Sequence, residues 1–153
     1  MTKEQQKKVE TGIVKRQDTL ENQAKIVFLG IGSNLGLRKN NIEKAKFLLA
    51  EYYIDFLSVS SYYETPSWPD PTKPKFLNII LKLKCYYNPQ ELLKICKSIE
   101  AQLGRKEAKK NAPRTCDLDI IDFNKLVSKK NARINLPHKM MHKRNFVLFP
   151  LFE

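Results

Sequence analysis

The sequence predicts an α+β fold: an antiparallel sheet with two helices packed on it, in the order strand, helix, strand, strand, helix, strand. Three observations lead there. Short runs rich in branched and aromatic residues recur at KIVFLGI, FLSVSSYYET, FLNIILKLKCYY and TCDLDIIDF, the composition of strands. Between them, NNIEKAKFLLAEYY and NPQELLKICKSIEAQLGR repeat apolar residues every three or four positions, as an amphipathic helix does. The chain's 153 residues suffice for one domain that buries roughly two-thirds of its unfolded surface.

Residues 1–24 are polar and lack sustained periodicity, so a flexible extension is expected ahead of a folded domain over residues 25–153. KIVFLGI reads as a buried strand that Gly-Ser-Asn turns into the first helix, whose apolar face is Ile42, Ala45, Leu48 and Leu49. FLSVSSYYET reads as one strand ending at TPSWPDPTKPK, a proline-studded loop that cannot pair continuously. FLNIILKLKCYY alternates, with Leu77, Ile79, Leu81, Leu83 and Cys85 on one face and Asn78, Lys82 and Lys84 on a wet one. The second helix has Asn88 as N-cap, Pro89 in its first turn and Gly104 as terminator. TCDLDIIDF supplies the last strand, and the order of elements is that of the split βαβ, or ferredoxin-like, arrangement. The remainder from Ile134 is expected to loop back to the sheet edge.

No apolar run reaches membrane-spanning length, and the N-terminus is not a basic stub followed by an apolar stretch, so a cytoplasmic address with no membrane partner is expected. Cys85, Cys96 and Cys116 are far apart in sequence and read as core residues rather than a disulfide framework or thiolate zinc site. A net charge of +12 attracts polyanions. Nucleic acid and nucleotide phosphates both qualify, while scattered lysines also read as a plain solvated surface. An RNA-binding domain of this fold would draw on the charge, but its aromatic signature is absent.

Asp117 and Asp119 in RTCDLDII are two apart on a strand and so share a face, their carboxylates roughly 7 Å apart. By spacing alone they read first as an acidic solvated face. The second reading is a seat for hard cations, since Mg²⁺ takes one or two carboxylates and completes its shell with water and phosphate. Arg105, Arg114, His138 and Arg144 flank the pair, and guanidinium binds the phosphate oxygens that a metal leaves. His138 and His142 are four apart, but Pro137 opposes a regular helix there and no third zinc ligand stands nearby. GIGSNLG lacks the Lys-Ser/Thr of a phosphate loop and reads as a structural turn. Phe76, Phe146 and Trp68 read as core or loop anchors, or as a sandwich for a flat ring.

Taken together, FLGIGSNLG, SSYYETPSW, KFLN, IEAQLGR, APRTCDLDII, LPHKMMHKR and FVLFPLFE, in that order and spacing, resemble the 6-hydroxymethyl-7,8-dihydropterin pyrophosphokinases of folate synthesis. The resemblance covers about residues 26 to 153. It implies transfer of the terminal pyrophosphoryl group of ATP to the pterin's hydroxymethyl oxygen, giving AMP, with two Mg²⁺ ions held by Asp117 and Asp119. By motif, Arg105, Arg114, His138 and Arg144 match phosphate- and nucleotide-contacting positions, Arg105 and Arg114 being counted as catalytic with the aspartates. Glu100 matches a nucleotide-site carboxylate. Phe76 and Phe146 match the pair that stacks on the pterin, Asn78 the amide that reads its edge, and Thr65, Pro66 and Trp68 the lining stretch. A monomer acting on ATP and a small pterin, with no nucleic-acid partner, is what the resemblance implies.

The chain also departs from the family. Glu107 stands where an arginine is usual, Asn111-Ala112 replaces Trp-Gly, and the chain stops at Glu153, before the family's last elements. Weakened loop closure is expected, with Lys106, Lys109 and Lys110 supplying part of the charge. A second reading follows: a catalytically decayed or fragmentary pterin- and nucleotide-binding remnant of a larger folate-pathway chain.

Overall fold

The strand β1 (Lys25–Ser33) lies inside an antiparallel sheet, between β4 (Phe76–Cys85) and β5 (Asp117–Phe123). Beyond β4, β2 (Asp55–Val59) and β3 (Tyr63–Thr65) pair with opposite ends of that strand. Two helices, α1 (Arg38–Glu51) and α2 (Pro89–Gln102), make the order βαβββαβ, the expected βαββαβ with its second strand divided. This computed structural model describes residues 23–105, 111–129, 132–143, 147 and 151. The expectations for residues 1–22, Lys106, Glu107, Lys109, Lys110, Arg144 and Phe146 lie outside the described residues.

Alternation along the strands makes two faces. Val27, Leu29 and Ile31 of β1, with Leu81 and Leu83 of β4 and Leu118, Ile120 and Phe123 of β5, pack against Ile42, Ala45 and Leu49 of α1 and Leu92, Cys96 and Ile99 of α2. Both helices therefore cover one face. α2 starts in a reciprocal cap, Asn88 Oδ1 accepting the Glu91 N–H at 2.9 Å and Glu91 Oε2 accepting the Asn88 N–H at 2.8 Å. It stops at Gly104, whose φ of +80° suits a residue without Cβ.

The single strand expected over FLSVSSYYET is divided. Ser60 donates its N–H to the Ile80 carbonyl, and its hydroxyl accepts the Ile80 N–H at 2.9 Å. A side chain thus takes over one ladder bond and the backbone steps out before β3 resumes. The face of β4 expected to be wet is exposed at Lys82 but buried at Asn78 and Ile80. There Ile80 joins Ile121 and Val147 in a second apolar cluster on the side away from α1 and α2.

A bulge shapes that side. Leu29 faces Ile120 while Phe28 faces Asp122, which leaves Ile121 as the extra residue of β5. Ile121 turns toward the second cluster and its carbonyl accepts the His138 N–H at 2.8 Å. The bulge so tethers the segment after β5 to the face away from α1 and α2.

All three thiols are buried and free. Burial, with smaller contributions from neighbouring charges, pushes Cys96 and Cys116 from 9.0 up to about 12, and burial raises Cys85 as well. Folded thiols then stay neutral where unfolded ones ionise. Their contribution to stability is whole below pH 9.0 and is lost as pH climbs toward about 12. The denaturant midpoint should fall across that window, and a thiol reagent at pH 8 should label these cysteines only after unfolding.

Candidate active site

The face of the sheet opposite α1 and α2 carries a cleft of about 840 Å³. Its floor follows from strand register. Asn78 of β4 lies opposite Gly32 of β1, and Gly32 opposite Asp117 of β5; one step along, Ile80 faces Gly30 and Gly30 faces Asp119. Gly30 and Gly32 of FLGIGSNLG are thus not part of the turn, which begins only after Ser33 and takes Gly36 at φ +68°. They lie in mid-strand as a floor without side chains between an amide and two carboxylates.

On one side of the glycines the cleft is lined by Thr65, Pro66, Trp68, Phe76 and Asn78. Asn78 is 6% exposed and donates from Nδ2 to Thr65 Oγ1 at 3.0 Å, which fixes the amide's orientation. Its Oδ1 lies over Gly32, where an added Cβ would come within 2.7 Å of it. Phe76 opens β4 beside Thr65 of β3, and Trp68, largely exposed, stands at the rim.

On the other side, Asp117, Asp119, Arg114 and His138 line the same cleft. Asp117 is gripped twice: Oδ1 accepts Arg105 Nη1 at 2.7 Å and Oδ2 accepts Arg114 Nη1 at 3.2 Å. Glu100 and Arg105 do not line the cleft. Glu100 lies on the core side of α2, its side chain 3% exposed, and Oε1 accepts the Leu118 N–H of the outer strand at 2.8 Å. It also pairs with Arg105 at 2.7 Å and Lys97 at 2.9 Å. Burial alone would lower the affinity of Arg105 for its proton, but Asp117 and Glu100 outweigh it and raise it. Asp117, Asp119 and Glu100 thus meet Arg105, Arg114 and Lys97, so the carboxylates stand close with their charge offset.

Asp117 and Asp119 form a pure oxygen set, and no group of three or more His, Cys, Asp or Glu suited to a metal occurs among the described residues. Two carboxylates with arginines alongside fit a hard cation carrying phosphate and not a closed zinc site. His138 Nδ1 accepts the Met140 N–H at 3.3 Å, which assigns the proton of the neutral ring to Nε2.

Sequence reasoning missed Asn34 and Lys73, whose bonds run between distant loops. The available signal was a polar residue inside FLGIGSNLG. It also gave no hint that Glu100 would brace β5 from beneath.

The chain is similar to known proteins over most of its length. A family model described as 7,8-dihydro-6-hydroxymethylpterin-pyrophosphokinase matches residues 28–153. The chain is 39% identical over 127 residues to a 2-amino-4-hydroxy-6-hydroxymethyldihydropteridine pyrophosphokinase of Aquifex aeolicus, covering 83% of this chain and 78% of that one. It is 37% identical over 129 residues to the protein of that name from Bacillus subtilis, covering 84% and 77%. A mitochondrial folate synthesis bifunctional protein of Arabidopsis thaliana is 35% identical over 127 residues, which are 83% of this chain and 23% of that longer one.

Proposed function

The chain belongs to the 7,8-dihydro-6-hydroxymethylpterin-pyrophosphokinase family, and from that premise we propose the reaction and the role of each residue. The pterin's hydroxymethyl oxygen attacks the β-phosphorus of ATP, the bond from that phosphorus to the α–β bridging oxygen breaks, and AMP leaves while the hydroxyl proton is lost. One observation carries the reading: a single cleft joins an amide-bearing ring pocket to two carboxylates and a guanidinium across two glycines.

Asn78 reads the pterin edge, Phe76 takes one ring face, and Thr65, Pro66 and Trp68 line the pocket. Asp117 and Asp119 would hold two Mg²⁺ ions, whose charge, when bound, would offset that of the polyphosphate. Arg114 and Arg105 turn from Asp117 to phosphate oxygens, and His138 donates from Nε2. Glu100 acts on the nucleotide side by keeping Arg105 in reach. By motif alone, Arg144 joins the phosphate contacts and Phe146 is the second stacking ring. Catalysis of this kind is positioning and charge neutralisation. The basic surface then serves polyphosphate rather than nucleic acid, in a monomeric cytoplasmic enzyme. Among the described residues no helix is long and apolar enough to cross a membrane.

Purified protein given ATP, Mg²⁺ and 6-hydroxymethyl-7,8-dihydropterin should form AMP stoichiometrically with pterin diphosphate. Ligand binding without AMP would identify a decayed remnant instead. Gly32→Ala should separate the two halves, because its Cβ displaces the Asn78 amide. Pterin affinity measured by calorimetry should fall about tenfold, the effect of roughly one good hydrogen bond, with nucleotide affinity unchanged.

A further inference from the structure

Asn34, the first residue after β1, takes no part in the transfer just described, yet it is 3% exposed and its side chain is fully engaged. Nδ2 donates to Ser67 Oγ at 3.2 Å and to the Pro74 carbonyl at 3.1 Å. Oδ1 accepts the Arg114 N–H at 2.8 Å, and the Asn34 N–H returns to the Arg114 carbonyl at 3.2 Å. Ser67 tightens the first arm by donating to the Pro74 carbonyl at 2.6 Å. A second tie runs parallel: Lys73 Nζ donates to the Asn111 carbonyl at 2.9 Å. The loop of residues 66–75, from the ring side, is thereby fastened to residues 111–114, which deliver Arg114 to the phosphate side.

Only an amide of this length serves. Two donors and one acceptor are needed from one short planar group. Aspartate would turn an oxygen on the Pro74 carbonyl, and alanine would strand the Arg114 N–H.

Resting on the function proposed above, we infer that Asn34 is a positioning residue that couples the two half-sites, with Lys73 as its auxiliary. Neither fastened segment is held by a sheet or helix ladder, so these hydrogen bonds are a path by which a ligand on one segment acts on the other. Drawing Arg114 onto polyphosphate shifts residues 111–114 and, through the amide, the loop over the pterin. The second ligand then meets a loop already set, and by linkage the assistance is mutual.

The test is a coupling factor: the Kd of 6-hydroxymethyl-7,8-dihydropterin without nucleotide divided by its Kd with Mg²⁺ and a non-hydrolysable ATP analogue, by calorimetry. Asn34→Ala should reduce it about tenfold and Lys73→Met about threefold, as expected for one or two hydrogen bonds. Lys73→Arg, which keeps a donor, should match wild type. Nucleotide-free pterin affinity should stay within about twofold throughout. Should Asn34→Ala fail to fold, the contrast between Lys73→Met and Lys73→Arg decides. Unchanged coupling in Lys73→Met overturns the inference. So does an equal loss of pterin affinity with and without nucleotide, which marks a local role. A wild-type protein that makes AMP with a coupling factor of one overturns the inference alone, whereas one that binds neither ligand overturns the proposed function too.

Discussion

Asp117→Ala should lower kcat/KM at least a thousandfold, about 4 kcal/mol of transition-state stabilisation, while the protein remains folded. The change removes one of two carboxylates expected to hold Mg²⁺ and releases Arg105 and Arg114 from their shared partner. The cost to stability should be small. Both ion pairs are partly exposed, with side chains 22 to 27% accessible, so solvent screening holds the loss to roughly 1 kcal/mol. Asp117 also keeps its backbone place opposite Gly32. AMP release and Mn²⁺ binding, followed by spin resonance beside the melting temperature, check both halves of this expectation. Activity within tenfold of wild type would remove Asp117 from the metal site.

Glu100→Ala should do the reverse damage, striking stability first. Its carboxylate is enclosed, and its loss leaves the Leu118 N–H without an acceptor and Arg105 and Lys97 without this partner. Breaking a buried charge network of this kind costs about 3 kcal/mol, which corresponds to a melting point about 10 °C lower in a domain of this size. Glu100→Gln keeps an acceptor for Leu118 but not the charge on Arg105. It should recover part of the stability while leaving nucleotide affinity reduced. Thermal melts of both variants, with nucleotide titrations of the second, separate bracing from charge. A melting point within 2 °C of wild type for Glu100→Ala would refute the bracing role.

What could be read from sequence was whatever repeats locally. The cap and apolar face of α2, the core-facing half of the alternation of β4, and the opposed pairs Asp117/Asp119 and Leu118/Ile120 all lie within a few residues of one another, and the structure reproduces them. The fold class followed from their order. Features set by distant partners were invisible. The division between β2 and β3 depends on Ser60 meeting Ile80, and the burial of Asn78 depends on Thr65 and Gly32 across the sheet. Glu100 looks like one more exposed acid in KSIEAQ until β5 is laid over it. GIG looked like punctuation because glycine more often ends a strand than paves one. The resemblance named candidate site residues that periodicity could not, and Asn34 escaped both.

The paired glycines make the sheet a ruler. Asn78 and Asp117 are separated by two strand intervals with only Gly32 between them, about 10 Å set by backbone hydrogen bonding. That spacing cannot stretch as a loop can. The gauge from the Asn78 amide, proposed to read the ring, to the Asp117 carboxylate, proposed to hold Mg²⁺, is thus built into peptide geometry, and a substrate with a longer arm would present its oxygen out of line however well its ring were held.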